Sequence, residues 1–204
     1  MTANTTKEFQ VSDHRTADHP VDPKFVNRWS PRAFDGSEMP EADLKIMLEA
    51  ARWAPSAFNM QPWRFVYSLR GDASWPVFPE LMNEFNRSWA SNASALIVVL
   101  SDTVFAGPDG EKPASHNSFD AGAACAQLAL QASALGYHSH SMAGILPEKI
   151  HADLNVPERF KAEIMIAVGR RTEPDILPEF LQAKELPSPR RSLEETAFKG
   201  SFKG

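Results

Sequence analysis

Hydrophobic positions along the chain recur with two periods, and these predict an alternation of helices and strands. Leu44, Met47, Leu48 and Ala51 follow helical spacing, so they predict a helix with one buried stripe that ends before Pro55. A long helix is also predicted from its composition, because one stretch has almost no charge and many small residues. A helix that is apolar on every side is expected to be buried on every side. That stretch is residues 117–135.

Short apolar runs between the helices predict the strands. Residues 95–100 (ALIVVL) are apolar without interruption over a strand's length, so this strand should be buried on both faces. Further strands are predicted at 64–69, 137–142 and 163–168. Helices and strands in this order predict an α/β (α+β) fold in which helices flank a central mixed sheet.

The two ends of the chain lack this core pattern. Residues 1–20 are polar and predict a mobile N-terminal arm, which leaves a single domain at 21–170. Residues 171–204 contain prolines that prevent a long helix, yet they carry apolar side chains such as Leu177 and Phe180. Leaving so many apolar side chains of the arm exposed to water is unfavourable. We therefore expect 171–204 to be a C-terminal arm that wraps a partner subunit.

A polar loop between Pro55 and Pro62 is the first candidate binding element. It carries Ser56, Asn59 and Gln61, and the two prolines restrict its backbone. Each amide side chain offers a donor and an acceptor side by side, which suits the edge of a flat heterocycle. The alternative is a plain helix–strand connector whose amides satisfy neighbouring backbone groups.

A second candidate is the alternation of Arg28, Ser30 and Arg32. If this segment is extended, the three side chains point the same way. Guanidinium forks and a hydroxyl are suitable ligands for a phosphate monoester. A solvated charged turn is the alternative reading of this short pattern.

Taken together, these stretches resemble the nitroreductase family of flavin enzymes. The order and spacing of several motifs carry the resemblance, which runs from about residue 21 to 195. The motifs are RWSPRAF at 28–34, EAARWAPS at 49–56, NMQPW at 59–63, DAGAACAQLALQASALG at 120–136, IMIAVGRR at 164–171 and PRRSLEE at 189–195.

The resemblance implies a mostly antiparallel sheet, an intertwined homodimer and noncovalently bound FMN. NADH or NADPH would reduce the flavin, and a nitroaromatic, quinone or other small electrophile would then take the electrons in a ping-pong reaction. Chemistry at the flavin N5 requires no catalytic side chain. The implied cofactor-binding residues are Arg28, Ser30, Arg32, Ser56, Asn59, Gln61, Ala143, Gly144, and Arg190 or Arg191 of the arm.

Composition and charge exclude several other classes. The net charge of −5, from 21 basic and 26 acidic residues, argues against a nucleic-acid partner. A single cysteine, Cys125, excludes an intrachain disulfide and is expected to be a core thiol. His138 and His140 share a strand face without a nearby carboxylate, so no metal is expected. No apolar run is long enough to cross a bilayer, and no signal peptide is evident, so we expect a cytoplasmic protein.

Two alternatives stay open at this point. Relatives in the same family fragment flavin, remove halogens or oxidise azoline rings, and the scaffold could also serve a flavin-binding protein without turnover. The sequence does not decide the acceptor or the choice between NADH and NADPH. The long loop at 102–117 could form a substrate lid or an exposed connector.

Overall fold

A computed structural model describes residues 11–107 and 110–203 of the chain. A four-stranded sheet carries the fold, with strands in the order β1-β2-β6-β5. The strands are β1 (Trp63–Leu69), β2 (Ala95–Asp102), β3 (Val104–Gly107), β4 (Gly110–Pro113), β5 (His138–Met142) and β6 (Phe160–Gly169). The helices are α1 (Pro23–Asn27), α2 (Glu41–Arg52), α3 (Glu84–Ala90), α4 (Asn117–Ala134), α5 (Pro147–Asp153) and α6 (Glu179–Gln182).

The predicted class, a helix-flanked sheet, is confirmed. Every strand pair within the described part of the four-stranded sheet is antiparallel, so the expected mixed character does not occur there. The stretch 75–89 is not one continuous helix. It divides into a 3-10 helix (Trp75–Leu81) and α3, because Pro79 lies inside it and Asn83 caps a new helix start.

Strand β2 is buried on both faces, as its apolar sequence predicts. Leu96 and Val98 point into one hydrophobic cluster, where they meet α3, α5 and the start of the C-terminal arm. Ile97 and Val99 point into the other cluster, which α2 and α4 cover. Successive side chains of a strand alternate between faces, so one strand supports two cores.

Within a single chain, helix α4 is buried along one side, and burial of its other side stays a prediction that a second subunit would fulfil. Ala124 and Leu128 are fully buried against the sheet and α2, whereas Gly122 and Ala126 on the other side are exposed. Cys125 lies on the buried side, and burial together with the charge of Glu163 raises the pKa of its thiol to about 12. The cysteine is therefore a core thiol with little thiolate character.

The expected long loop at 102–117 contains a β-hairpin. Strands β3 and β4 pair over 104–107 and 110–113 beside the end of β2. Asp102 receives two hydrogen bonds from Arg159, and its Oδ1 also accepts from the N–H of Val104 at 3.2 Å. These bonds fix the point at which the hairpin leaves the sheet.

The C-terminal arm begins inside the core of its own chain. Leu177 and Leu181 are buried with the cluster on the α3 side of the sheet, and Glu185 is 1% exposed. From Leu186 onward nearly every residue is exposed, with Pro187 as a buried exception. Contact with a partner subunit stays a prediction for the outer part of the arm, residues 186–203.

The N-terminal arm is described only from Val11, and residues 1–10 of the expected mobile segment lie outside the described residues. Residues 11–20 contact the chain through Arg15, which donates to the carbonyls of Val26 and Arg28. None of the helices in the described ranges has the length and apolar character needed to cross a lipid bilayer.

His138 and His140 project from one face of β5 into aromatic surroundings. His138 packs edge-on against Trp29, and His140 lies 4.7 Å from the Trp89 ring centre. Burial, helped by the positive charge of Arg171 at His138 and of Arg32 at His140, lowers the pKa of each imidazole to about 4. His140 Nδ1 donates to the carbonyl of Pro31 at 3.0 Å, so Nδ1 carries the proton of the neutral ring.

We expect these two buried histidines to make folding stability depend on pH. Above their ordinary pKa of 6.5 both states hold neutral imidazole, while between 6.5 and about 4 only the unfolded state takes up protons. The free energy of unfolding should therefore fall as pH falls through this window. His140→Asn should reduce that slope by up to about 1.4 kcal/mol per pH unit.

Urea denaturation at several pH values between about 4.5 and 7.5 measures the slope. The exposed His19 provides the matched control, because His19→Asn removes a solvated ring and should leave the slope unchanged. A His140→Asn protein with the wild-type slope would contradict the assignment of a buried neutral ring.

Candidate functional site

The alternation of Arg28, Ser30 and Arg32 is realised as an extended segment. Trp29 and Pro31 are buried between them, and all three polar side chains line one cavity of about 330 Å³. Arg28 Nη1 lies 3.3 Å from Ser30 Oγ, so the guanidinium and the hydroxyl converge on the same space. The structure therefore brings together the three residues that the sequence assigns to a phosphate.

Backbone pairing holds this segment at the end of the sheet. Phe34 forms an antiparallel bridge with Arg171, just beyond the last residue of β6. The buried carboxylate of Glu185 accepts from the N–H groups of Arg32 and Ala33 at 2.5 and 2.8 Å. Charge-assisted bonds to a buried carboxylate are strong, so the start of the C-terminal arm fixes the curvature of the segment.

The cavity is strongly cationic. Its charged lining residues are all basic: Arg15, Arg28, Arg32, Lys184 and Arg190. Burial, followed by the charge of Arg190, lowers the pKa of Arg28. Both causes disfavour the charged guanidinium, and a bound anion would offset the repulsion between Arg28 and Arg190.

Arg32 supplies a second sign that the cavity fits an anion. Its Nε is buried and has no hydrogen-bond partner among the described residues. Its guanidinium lies 5.9 Å from the Trp89 ring, and its Nη1 is 3.9 Å from Glu185 Oε2, which is too long for a hydrogen bond. A buried donor without a partner is unfavourable, and a phosphate oxygen is a suitable acceptor for it.

The two arginines of the arm both line the cavity between the arm and residues 14–18, but only Arg190 also lines the cationic cavity. Arg190 lines the cationic cavity, together with Ser188 of the same arm. Arg191 lines the neighbouring cavity, of about 390 Å³, between the arm and residues 14–18. Arg190 is therefore the arm residue that the structure places beside Arg28 and Arg32.

The turn at Ala143 and Gly144 directly follows β5, the strand that carries His140. The Gly144 carbonyl accepts from the Asn83 N–H at 3.0 Å and from Asn86 Nδ2 at 3.2 Å. A Cβ at position 144 would approach both asparagine side chains to less than 3.0 Å. Glycine is required here by close packing, and the turn has a fixed orientation.

The polar loop at 56–61 has an unusual backbone. Phe58, Asn59 and Gln61 have φ values of 51°, 55° and 49°, in the left-handed region that residues with a Cβ rarely adopt. Each such residue costs of order 1–3 kcal/mol. Strain of this kind is retained where the surroundings hold it, and it is concentrated at binding sites.

Internal hydrogen bonds define the shape of this loop. Ser56 Oγ accepts from the Gln61 N–H at 3.0 Å, and Gln61 Nε2 donates to the Asn59 carbonyl at 3.0 Å. Asp120, which is 4% exposed, accepts from the Ala57 N–H at 3.0 Å and joins the loop to α4. Asn59 is exposed, and its amide makes no hydrogen bond to a described residue. Ser56 therefore shapes the loop, while Asn59 is free to contact a ligand.

The loop and the cationic cavity lie at opposite edges of the sheet. The loop precedes β1, whereas His140 of the cavity belongs to β5 at the other edge. Three strand spacings of about 4.8 Å separate these edges. The two sites also differ in position along the strands. Trp63 of β1 pairs with Ser101 of β2, which pairs with Lys161 of β6, whereas His140 of β5 pairs with Ala167 of β6. Lys161 and Ala167 are six residues apart, which adds a separation of about 3.3 Å per residue along β6. One chain therefore does not bring the two predicted elements together.

Sequence reasoning missed several residues that line or support the cavity. His140 carried a signal, its position beside His138 on one strand face, but that pattern raised only the question of a metal, which the lack of a nearby carboxylate argued against. Arg15, Lys184 and Glu185 lie in segments without periodicity, and no local pattern indicates that they meet Arg32.

Comparisons with known proteins agree with this architecture. The nitroreductase family model matches residues 26–74 and 73–170. A crystal structure described as an oxidoreductase containing FMN has 50% identity and a TM-score of 0.91, covering 93% of this chain and 96% of that chain. An uncharacterised 15.4 kDa protein of Mycolicibacterium smegmatis is 34% identical over 147 residues, which are 68% of this chain and 97% of that protein.

A third relative has a named activity. The NADH dehydrogenase of Thermus thermophilus is 28% identical over 177 residues, which cover 72% of this chain and 85% of the relative. Because the family model matches more than half of the residues, and motifs and fold agree with it, this chain belongs to the nitroreductase family of flavin-dependent oxidoreductases.

Proposed function

We propose that the protein is an FMN-dependent oxidoreductase that passes electrons from NADH or NADPH to a nitroaromatic, a quinone or a similar small electrophile by a ping-pong route. The cationic cavity is the observation that carries this proposal. It combines the Arg28, Ser30 and Arg32 segment with a buried guanidinium nitrogen that has no hydrogen-bond partner among the described residues, and its charged lining residues are basic. The cytoplasmic location of the protein stays a prediction from the sequence.

In this proposal the bound flavin supplies the redox chemistry, and the chain supplies binding and orientation. Arg28, Ser30, Arg32 and Arg190 would hold the phosphate. The rigid turn at 143–144 lies along the same edge strand, three to four residues beyond His140, or about 10–13 Å at the rise of a strand. Its backbone would face the flavin ring, and no side chain is assigned as a catalytic acid or base.

The ring contacts of Asn59 and Gln61 would come from a second copy of the chain. A ribityl chain of five carbons, with bonds of about 1.5 Å, spans only roughly 8 Å. That length cannot connect a phosphate in the cationic cavity to the loop at the opposite edge of the same sheet. A two-fold dimer would place the loop of each subunit over the flavin of the other, which gives two equivalent sites.

Exposed apolar groups beside the loop support such a dimer. Phe58 and Phe119 are 94% and 79% exposed, and the outer side of α4 shows the small residues Gly122 and Ala126. Large apolar side chains grouped on a monomer surface are typical of an interface. The small residues of α4 would allow close approach of a second helix.

A cavity of about 330 Å³ beside the loop is our candidate for the acceptor. Phe58, Met60 and Pro62 line one side, and the hairpin residues Val104 and Phe105 line the other. Its apolar side chains suit an aromatic or quinone ring, and Arg64, Asp102 and Arg159 make the rest of the lining polar. The hairpin would then form one wall of the acceptor site.

Flavin content and turnover test the proposed function. The purified protein should be yellow, and NADH or NADPH should bleach the flavin, which menadione or a nitrofuran should reoxidise. A protein that stays colourless after addition of FMN would contradict the proposal. A flavin that neither nicotinamide reduces would contradict the reductase activity while leaving flavin binding intact.

The phosphate-binding residues provide a second test. Arg28→Ala or Arg32→Ala removes a charge-assisted bond worth about 1.5–3 kcal/mol, so FMN affinity should fall roughly ten- to more than a hundredfold. Riboflavin lacks the phosphate, and its affinity should not change. Arg87→Ala is the matched control, because Arg87 is paired with Glu80 outside the cavity. Equal FMN and riboflavin losses would show that these arginines do not bind the phosphate.

Subunit mixing tests whether two chains build one site. Arg28→Ala/Arg32→Ala chains and Asn59→Ala/Gln61→Ala chains should each form dimers that retain little flavin. A mixed dimer contains one site with both wild-type halves and one site with neither. Random assortment makes about half of the dimers mixed, so about a quarter of the wild-type flavin sites should be restored. Mixing two preparations of the arginine variant is the control, and it should restore none. No recovery in the mixed sample, with dimers exchanging normally, would contradict the shared site.

A further inference from the structure

Arg15 joins three separate segments at the edge of the cationic cavity. Its Nε donates to the Ser188 carbonyl at 2.8 Å, and its Nη1 donates to the carbonyls of Val26 and Arg28 at 3.0 and 2.9 Å. Ser188 is two residues from Arg190, and Arg28 begins the phosphate-binding segment. One planar guanidinium thus holds the two sources of phosphate ligands next to each other.

Within the ranges that the structure describes, the acceptors of Arg15 are neutral carbonyl groups. A carboxylate partner would cancel the charge of the guanidinium, whereas carbonyls use its donors and leave its full charge in place. Arg15 also lines the cationic cavity itself. The residue therefore adds a positive charge to the phosphate position while its donors keep the backbone in place.

The outer arm, residues 186–203, is held by few contacts of other kinds. Nearly all its residues are exposed, and its Leu193 N–H donates to Asp18 Oδ2 at 3.0 Å. Asp18 and Arg15 belong to the same short segment, so both bonds connect the arm to residues 15–18. Exposed backbone with little apolar burial opens easily, and the docked position of the arm depends strongly on Arg15.

Arg15, Arg28 and Arg190 line one cavity, so their like charges oppose the docked position of the arm when no anion is bound. Burial, then the charges of Arg190 and Arg28, lowers the pKa of Arg15. Docking the arm brings Arg190 towards these two cations, so repulsion opposes it. A phosphate dianion among the three guanidinium groups reverses the sign of that interaction.

We infer that Arg15 is a positioning residue that couples phosphate binding to docking of the arm. When a phosphate monoester occupies the cavity, residues 186–203 close against residues 15–18 and bring Arg190 to the phosphate. When the cavity holds no phosphate, the arm is released. This inference rests on the proposed function for the identity of the monoester as FMN, but the coupling itself requires only the phosphate.

Hydrogen exchange of the full-length protein, followed by mass spectrometry, measures docking of the arm. Peptides from 186–203 should exchange about tenfold more slowly with FMN than with riboflavin, although both ligands carry the same ring. In Arg15→Ala the FMN-dependent protection should disappear, and FMN affinity should fall at least tenfold while riboflavin affinity stays unchanged. Arg87→Ala is the control for loss of an arginine elsewhere.

Arg15→Lys separates charge from geometry. The lysine retains the positive charge but lacks the planar fork that reaches three carbonyls. The Arg15→Lys protein should recover part of the FMN affinity but little of the protection of the arm from hydrogen exchange. This variant also tests the inference if Arg15→Ala fails to fold. Arm protection at the wild-type level in Arg15→Lys would overturn the positioning role. Equal protection by FMN and riboflavin would overturn the coupling to phosphate.

Inorganic phosphate distinguishes failure of this inference from failure of the proposed function. If the wild type binds neither flavin, yet millimolar phosphate protects the arm in the wild type and not in Arg15→Ala, the coupling stands and the flavin assignment fails. If FMN binds and the arm of Arg15→Ala remains protected at wild-type affinity, the flavin assignment stands and the coupling is wrong. If neither FMN nor phosphate protects the wild-type arm, the coupling is also wrong.

Discussion

The gathering of like charges around one cavity is the constraint on which the surrounding structure depends. Arg28 and Arg32 come from an extended segment, Arg190 comes from the C-terminal arm, and Arg15 comes from the N-terminal side. Neutral carbonyls and the buried carboxylate of Glu185 hold these groups in position. Because the supporting groups cancel so little of the charge, the site retains the positive potential that a phosphate requires.

The sheet determines how this cavity relates to the strained polar loop. Antiparallel order β1-β2-β6-β5 places the cavity and the loop at opposite edges. The cavity suits the phosphate end of a ligand and the loop suits its ring, yet one chain keeps them apart. A symmetric second chain is the simplest way to bring a cavity and a loop together. The proposed dimer would also explain the exposed Phe58 and Phe119 and the half-covered α4, since each lies on the side of the molecule that carries the loop.

The loop also shows how the fold maintains an unfavourable backbone. Positive φ at Phe58, Asn59 and Gln61 is opposed by local sterics, and it persists because Pro62, the Ser56 hydroxyl and the buried Asp120 carboxylate constrain the chain. The result is a rigid loop that presents Asn59 outward. A flexible connector could present the same amide only at a larger entropic cost on binding.

The amino-acid sequence by itself determined whatever depends on local periodicity. Alternation of Arg28, Ser30 and Arg32 was sufficient to place three polar groups on one side of an extended segment. The apolar run 95–100 was sufficient to indicate a doubly buried strand. Only the tertiary structure decided which distant segments meet: Glu185 with Ala33, Arg15 with Ser188, and α4 covered on one side. The two hydrogen-bonded contacts join residues more than 150 positions apart, and the cover of α4 depends on which elements pack beside it. The periodicity of hydrophobic residues along the chain encodes neither.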